Sequence, residues 1–570
     1  VDSALPFITG RIIDAATTDE TRSRLFLYMS AYAGMVLLFC FMIWLFIILA
    51  GQVTTGLSWD IREKSFARLQ ELQFAYFDTR PVGWLMSRLT SDCSRLSNLI
   101  PWLTLDVFWG IFMLLTTTVM MLILSWPLAL TVMLIIPPLA VISIYFQYRL
   151  LHSSRQMRKV NSQLTASYNE CITGVKTTKS LAREEENLQE FRQLTKQMYR
   201  HSARNSLQSA VYLPMVLSLG SMGVGVALWR GGVMLGTSVT LGTLIAFMQY
   251  AAQFYIPIQE LARRFTEVQM AQAAAERIQS LLDTEPEIKD SPAVRERLKQ
   301  FRSGRGEGIA EDGWPERIET IEFRNVSFAY NKEDPVLRDF NLKVRAGDTI
   351  ALVGPTGGGK STIVSLLCRF YEPTAGEILI NGIDYRERSL HWLQSNLGIV
   401  LQSPHLFSGT IRENILYGKT DAEEEQVIAA ARIANAHQFI CQAEKGYETE
   451  VGEGGSQLST GEKQLISLAR AVLADPQIFV MDEATSSVDT ATEKLIQEGI
   501  QHVLQGRISF VIAHRLSTIR NADRILVIEA GQIIEQGTHD ELISLGQRYF
   551  QLYTSQFSSE KQEEIMQSSS

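Results

Sequence analysis

Residues 354–362 read GPTGGGKST. The apolar run TIALV at 349–353 precedes them, and the helix-like run IVSLLCRF at 363–370 follows. This is the spacing G-x-x-x-x-G-K-[ST] between a strand and a helix, the pattern of a loop that wraps phosphate. Gly354, Gly357, Gly358 and Gly359, with Pro355 and Thr356 between them, let backbone N–H groups curl around phosphate oxygens without a Cβ in the way. The N-terminus of the following helix adds partial positive charge. Lys360 is expected to reach the β- and γ-phosphates, and the Ser361 hydroxyl, next to Thr362, to ligate Mg²⁺. The stretch implies a bound nucleoside triphosphate.

The chain has 570 residues, too many for one core, so two or more domains are expected. Residues 1–283 carry long apolar runs, whereas 318–554 read as a soluble α/β domain. Between them, 284–317 is charged and contains SGRGEG at 303–308, a flexible connector by composition. The polar tail 555–570 reads as disordered. A net charge of −8 argues against nucleic acid as a partner. The five cysteines are scattered with no C-x-x-C, which favours free thiols over a metal or disulfide framework. No signal peptide is visible.

A helix needs roughly 20 apolar residues to cross about 30 Å of hydrocarbon. Five uncharged stretches qualify: 28–51, 107–124, 127–148, 207–229 and 231–259. Ser125-Trp126-Pro127 reads as a tight turn between the second and third. The connections 52–106 and 149–206 are long, polar and rich in Arg and Lys, which places them in the cytoplasm as extensions of the membrane helices. Each has a break near its middle, at 77–83 and at Gly174, where a short transverse segment is expected. Five spans leave the start of the chain and the soluble domain on opposite sides, so LPFITGRIID at 5–14 is read as the outer end of a further span whose body lies upstream.

In the soluble half, short apolar strands alternate with helices, implying a mostly parallel sheet. Ligands bind at the carboxyl ends of such strands, where Gly354, Asp482 and His514 fall. Asp482 and Glu483 close the run IFVM. The first acid is positioned to hold Mg²⁺, and the second to orient or deprotonate an attacking water. A helix-capping pair is the bland alternative, and the phosphate loop upstream decides against it.

Together these stretches resemble an ATP-binding cassette (ABC) transporter, specifically a half-transporter of the exporter type, over nearly the whole chain. The resemblance implies a type I exporter fold: a membrane α-helical bundle with long cytoplasmic extensions, fused to an α/β phosphate-loop ATPase domain. Tyr330 in VSFAY resembles the aromatic residue that stacks on adenine, and Gln402 in IVLQSPHLF the glutamine that reaches Mg²⁺ and water. LSTGEKQ at 458–464 resembles the signature motif, whose Ser459 and Gly461 would contact the γ-phosphate held by the opposite subunit. Asp489 resembles the D-loop aspartate, and His514 the switch histidine. Taken singly, each of these is an ordinary surface or core residue. TEVGEGG at 449–455 resembles the exporter X-loop, and 76–92 and 170–185 resemble the two intracellular loops that dock on ATPase domains.

The signature departs from L-S-G-G-Q: Thr460 and Glu462 replace Gly and Gln. A carboxylate near a triphosphate repels it unless turned away. With Glu483 intact, the pattern resembles the subunit of a heterodimeric multidrug-type exporter that brings the catalytic acid; a homodimer that tolerates Glu462 is the alternative. The resemblance implies ATP and Mg²⁺ as ligands, a second half-transporter chain and a lipid bilayer as partners, and a bacterial plasma membrane as location. Gln249, Tyr250, Gln253, Phe254 and Tyr255, with Met215 and Met222 in the last spans, fit a small amphipathic substrate, drug-like or lipid, or a peptide, although plain packing is the better reading of the Met and aromatic residues. An ATP-gated channel or regulator of the same architecture is the competing class.

Overall fold

The computed structural model describes residues 2–17, 24–237, 239–302, 314, 317–331, 334–482, 490–513 and 516–556. Contacts divide the chain into two units: Val1–Glu71 with Pro81–Thr284, and Leu72–Arg80 with Glu285–Ser570.

The first unit is helical, with long helices Leu25–Glu71, Cys93–Met133, Ile136–Thr173, Glu184–Val233 and Leu241–Asp283. Among the described residues, three runs are long and apolar enough to cross a membrane: Leu25–Glu71, Val82–Met133 and Glu184–Val233. Ser125 takes extended angles (φ −163°, ψ 102°) just ahead of Pro127, so helical geometry breaks there. Gly174 ends the helix Ile136–Thr173, and a short helix Val175–Ser180 follows before Glu184–Val233 begins. The core gathers Met121, Leu128, Val132, Leu139, Phe247, Tyr250, Phe254 and Tyr255. Tyr250 donates to the Ser3 carbonyl and Tyr255 to that of Val132. These aromatics, offered above as a substrate lining, therefore pack the unit's interior, whereas Met215 and Met222 are exposed.

The helix Leu5–Thr17 is tied to the start of Leu241–Asp283. The Asp14 carboxylate accepts from the Gly242 N–H at 2.8 Å and the Thr240 hydroxyl at 2.7 Å. An anion at a helix N-terminus meets unpaired N–H groups and the positive end of the dipole. The approach is close enough that a Cβ on Gly242 would lie 2.0 Å from the Gly10 carbonyl oxygen.

Among the described residues the second unit holds ten strands: β1 Thr320–Ala329, β2 Pro335–Arg345, β3 Thr349–Val353, β4 Ala375–Ile380, β5 Ile383–Asp384, β6 Leu397–Val400, β7 Ile478–Asp482, β8 Ile508–Ile512, β9 Arg524–Glu529 and β10 Gln532–Gly537. Six form one sheet in the order β10-β9-β3-β8-β7-β6, parallel except for β10. Its central strands are buried along their length, as expected for a parallel sheet covered on both faces. A second, antiparallel sheet in the order β2-β1-β4-β5 went unforeseen, because alternation within β1 and β2 shows a half-buried strand without naming its partner.

The segment read as a flexible connector carries a helix, Pro292–Arg302. Val294 on it and Trp314 beyond it are buried in the second unit's core, and Arg297 lies over the Trp314 ring at 4.4 Å. Apolar side chains at Val294 and Leu298, one helical turn apart, outweigh the charged composition around them. Residues 72–80, from the first cytoplasmic connection, also belong to this unit. Phe74 stacks on Phe370 at 4.7 Å, Asp78 accepts from the Tyr371 hydroxyl, and Gln73 accepts from the Glu287 N–H.

Gly242→Ala is expected to force the two helices apart, at a cost of about 1–3 kcal/mol. The thermal midpoint of the solubilised protein should fall, whereas Gly34→Ala, with open space around it in a helix interior, should leave the midpoint unchanged or slightly raised.

Candidate active site

Register in the parallel sheet lines up the strand ends. Leu352 of β3 pairs with Ile512 of β8, Ile512 pairs with Asp482 of β7, and Met481 pairs with Val400 of β6. Asp482 therefore sits level with Leu352, two residues before Gly354. Gln402 follows just beyond β6, exposed, at the same edge. Geometry thus brings the phosphate loop, Asp482 and Gln402 to one edge of one sheet. Glu483, Asp489 and His514 lie outside the described residues.

The loop is shaped by glycine. Gly354, Gly357 and Gly359 take φ of 146°, 81° and 105°, values that side chains rarely adopt. A Cβ on Gly354 would lie 2.1 Å from the Ile528 carbonyl oxygen, and one on Gly358 would lie 2.9 Å from it. The Gly358 carbonyl accepts from the Gly531 N–H at 3.1 Å, so the loop rests on the turn between β9 and β10. That support was not foreseen; the adjacent Ala530-Gly531 pair at a hairpin tip was its only trace in the sequence.

Lys360 begins the helix Lys360–Leu367 and is buried. Its ammonium donates to the Gly354 and Pro355 carbonyls at 2.7 and 2.9 Å, which folds the side chain back over the loop. Burial pushes its pKa below the ordinary lysine value, and the Asp482 carboxylate opposes that shift. Thr356, Gly357 and Ser361 face solvent, while Thr362 is buried. The Thr362 hydroxyl is bonded to the Tyr330 hydroxyl at 3.2 Å, so the sheet of β1 delivers its terminal aromatic to the phosphate loop. Tyr371, not anticipated, meets Tyr330 edge-on at 5.1 Å. Hydroxyl, carboxylate and carboxamide oxygens at Ser361, Asp482 and Gln402 make a hard donor set of the kind Mg²⁺ takes.

The signature stretch caps the helix Thr460–Leu473. Ser459 is the N-cap, and its Oγ accepts from the Glu462 N–H. The Glu462 carboxylate in turn accepts from both the Ser459 N–H and the Ser459 hydroxyl, each at 2.8 Å. It is turned onto its own helix start. Gly461 is buried in the first turn. Upstream, Gly452, Gly454 and Gly455 all take positive φ, and Lys463 donates to the Gly454 carbonyl at 3.2 Å, joining the 449–455 stretch to the signature helix.

A family model described as "ABC transporter transmembrane region" matches residues 1–258, and one described as "ABC transporter" matches 337–486. The chain belongs to the ABC transporter family. Its relatives include an ATP-dependent lipid A-core flippase of Syntrophus aciditrophicus, 36% identical over 88% of this chain and 81% of that protein. A fatty acid ABC transporter ATP-binding/permease protein of Mycobacterium bovis is 35% identical over 96% and 83%. A solved bacterial Atm1-family ABC exporter with ATP bound is similar over 97% of this chain and 95% of that chain, with a TM-score of 0.78 and 26% identity. The chain is thus an ABC exporter subunit of type I fold, a multi-pass inner-membrane protein with a cytoplasmic ATPase domain. It couples ATP hydrolysis to transport, and exporters of this family work as dimers.

Gly531→Ala would place a methyl 2.0 Å from the Val336 carbonyl oxygen, at a φ of 78°. Such strain costs about 1–3 kcal/mol. The expected outcome is a lower thermal midpoint and weaker binding of a fluorescent ATP analogue by titration, although Gly531 lies outside the phosphate-loop motif.

Proposed function

We propose that this chain is the subunit of a heterodimeric exporter that supplies the catalytic acid, and that the pair moves an amphipathic lipid-like or drug-like molecule out of the cell. The observation that carries the heterodimer is the Glu462 carboxylate on the Ser459 donors. A γ-phosphate presented to this signature would compete with a fixed negative charge for the Ser459 hydroxyl. The phosphate loop carries no such competitor. One good loop and one weak signature in the same chain suit a partner with the reverse pairing. The flippase and the fatty acid transporter among the relatives support a lipid-like cargo.

In this reading Tyr330 stacks on adenine, the loop from Gly354 to Gly359 and Lys360 hold the phosphates, and Thr362 anchors Tyr330. Ser361, Asp482 and Gln402 would hold Mg²⁺, which neutralises phosphate charge when bound. Glu483 takes the proton of the attacking water, His514 bonds the γ-phosphate, and Asp489 lines the interface with the partner. ATP shared between two domains favours their closed state, and closure drives the membrane helices outward.

Mg²⁺-ATPase activity of the chain alone in lipid nanodiscs should be low and should rise on co-expression with a second half-transporter. Glu462→Gln in the chain alone should raise it about tenfold, equivalent to ~1.4 kcal/mol of relieved repulsion. Robust activity of the chain alone, unchanged by Glu462→Gln, would establish a homodimer instead. Glu483→Gln should abolish turnover and leave ATP bound; undiminished turnover removes Glu483 from the role.

A further inference from the structure

Asp92 is buried in the helical unit and accepts three hydrogen bonds from two guanidinium groups. Arg88 Nη1 donates at 2.7 Å, and Arg277 donates through Nε at 2.9 Å and Nη2 at 2.6 Å. Arg88 is also buried and lies over the Trp84 ring, 4.2 Å from its centroid. The backbone at Arg88–Asp92 is a turn of π-helix, closed by the Cys93 N–H on the Arg88 carbonyl. Such turns are rare and concentrate at functional positions.

The place of this cluster along the chain is informative. Residues 72–80 are held in the ATPase unit, and the chain re-enters the helical unit at Pro81, shortly before Asp92. The helix Leu241–Asp283 carries Arg277 near its end and leads back to the ATPase unit at Glu285. Two of the chain's three passages between the units are therefore joined, inside the helical unit, by the Asp92–Arg277 pair. A fork of two parallel N–H···O bonds fixes direction as well as distance.

We propose that this fork makes the first cytoplasmic loop and the last long helix move as one body when nucleotide binds, so that Asp92 and Arg277 are positioning residues for coupling. This rests on the alternating-access reading above. Motion in the ATPase unit enters the helices along both passages. Tied together, they transmit one rotation; untied, each can yield separately.

Charge arithmetic separates this role from a merely structural one. Two guanidiniums share one carboxylate. Asp92→Asn leaves two like charges facing each other, Arg88 buried and Arg277 part-exposed, whereas Arg277→Gln leaves the Arg88–Asp92 pair intact. The stability losses should be unequal, but the tie is lost equally in both.

The test is hydrogen–deuterium exchange of the full chain, with its companion subunit where one is needed, in nanodiscs with and without MgATP plus orthovanadate. Wild type should respond in peptides covering 354–367 and 231–250. Asp92→Asn and Arg277→Gln should each keep the first response and lose about tenfold of the second. The exchanged pair Asp92→Arg with Arg277→Asp should recover it. Should Asp92→Asn fail to fold, Arg277→Gln and Arg277→Lys carry the test, with Lys partly effective. A full 231–250 response in Arg277→Gln, or a loss that merely follows each variant's thermal midpoint, overturns the proposal. A wild-type protein that responds at 354–367 but not at 231–250 removes the alternating-access reading, and the inference falls with it.

Discussion

The nucleotide-binding unit depends on the register of its parallel sheet. Because β3, β8, β7 and β6 run the same way, their carboxyl ends meet at one edge. A single residue of slip would turn each strand's side chains to the opposite face. What resists that slip is packing: alternate residues of each strand fit two different cores, one on each face of the sheet. Everything the site does follows from this alignment: Asp482 level with Leu352, two residues before Gly354, and Gln402 just past the neighbouring strand.

The phosphate loop is also supported from behind. Gly354 and Gly358 approach the Ile528 carbonyl more closely than any side chain would allow, and Gly531 bonds Gly358. The glycines thus serve both sides of the loop, opening one to phosphate and seating the other on the β9–β10 turn. The signature helix shows the opposite economy of charge. There the anion is already present as Glu462, satisfied by Ser459 within a capping box that stabilises the helix start. Beside the two bonds of that cap, the Ser459 hydroxyl also donates to the Glu462 carboxylate.

In the helical unit, polar groups act at the ends of long apolar helices. Asp14 caps one end of Leu241–Asp283, and Arg277 binds Asp92 near the other. Between them the helix presents Phe247, Tyr250, Phe254 and Tyr255 to the core.

Much of the site was legible in the residue order, because glycine spacing and strand-terminal acids are local properties. The phosphate loop and Asp482 needed only a strand, a turn and a helix in the right order, Gln402 came only with the family resemblance, and the apolar runs alone required a membrane. Tertiary structure decided what depends on partners distant in the chain. The second sheet, the seating of Gly358 on Gly531 and the Tyr330–Thr362 bond all join segments whose pairing no local pattern encodes. Composition misjudged residues 292–302, because one apolar face buried against a neighbour counts for more than many exposed charges. Asp92 read as one more charged residue of the first cytoplasmic connection, Arg277 carried no signal at all, and only folding, which brings the two together, makes them a pair.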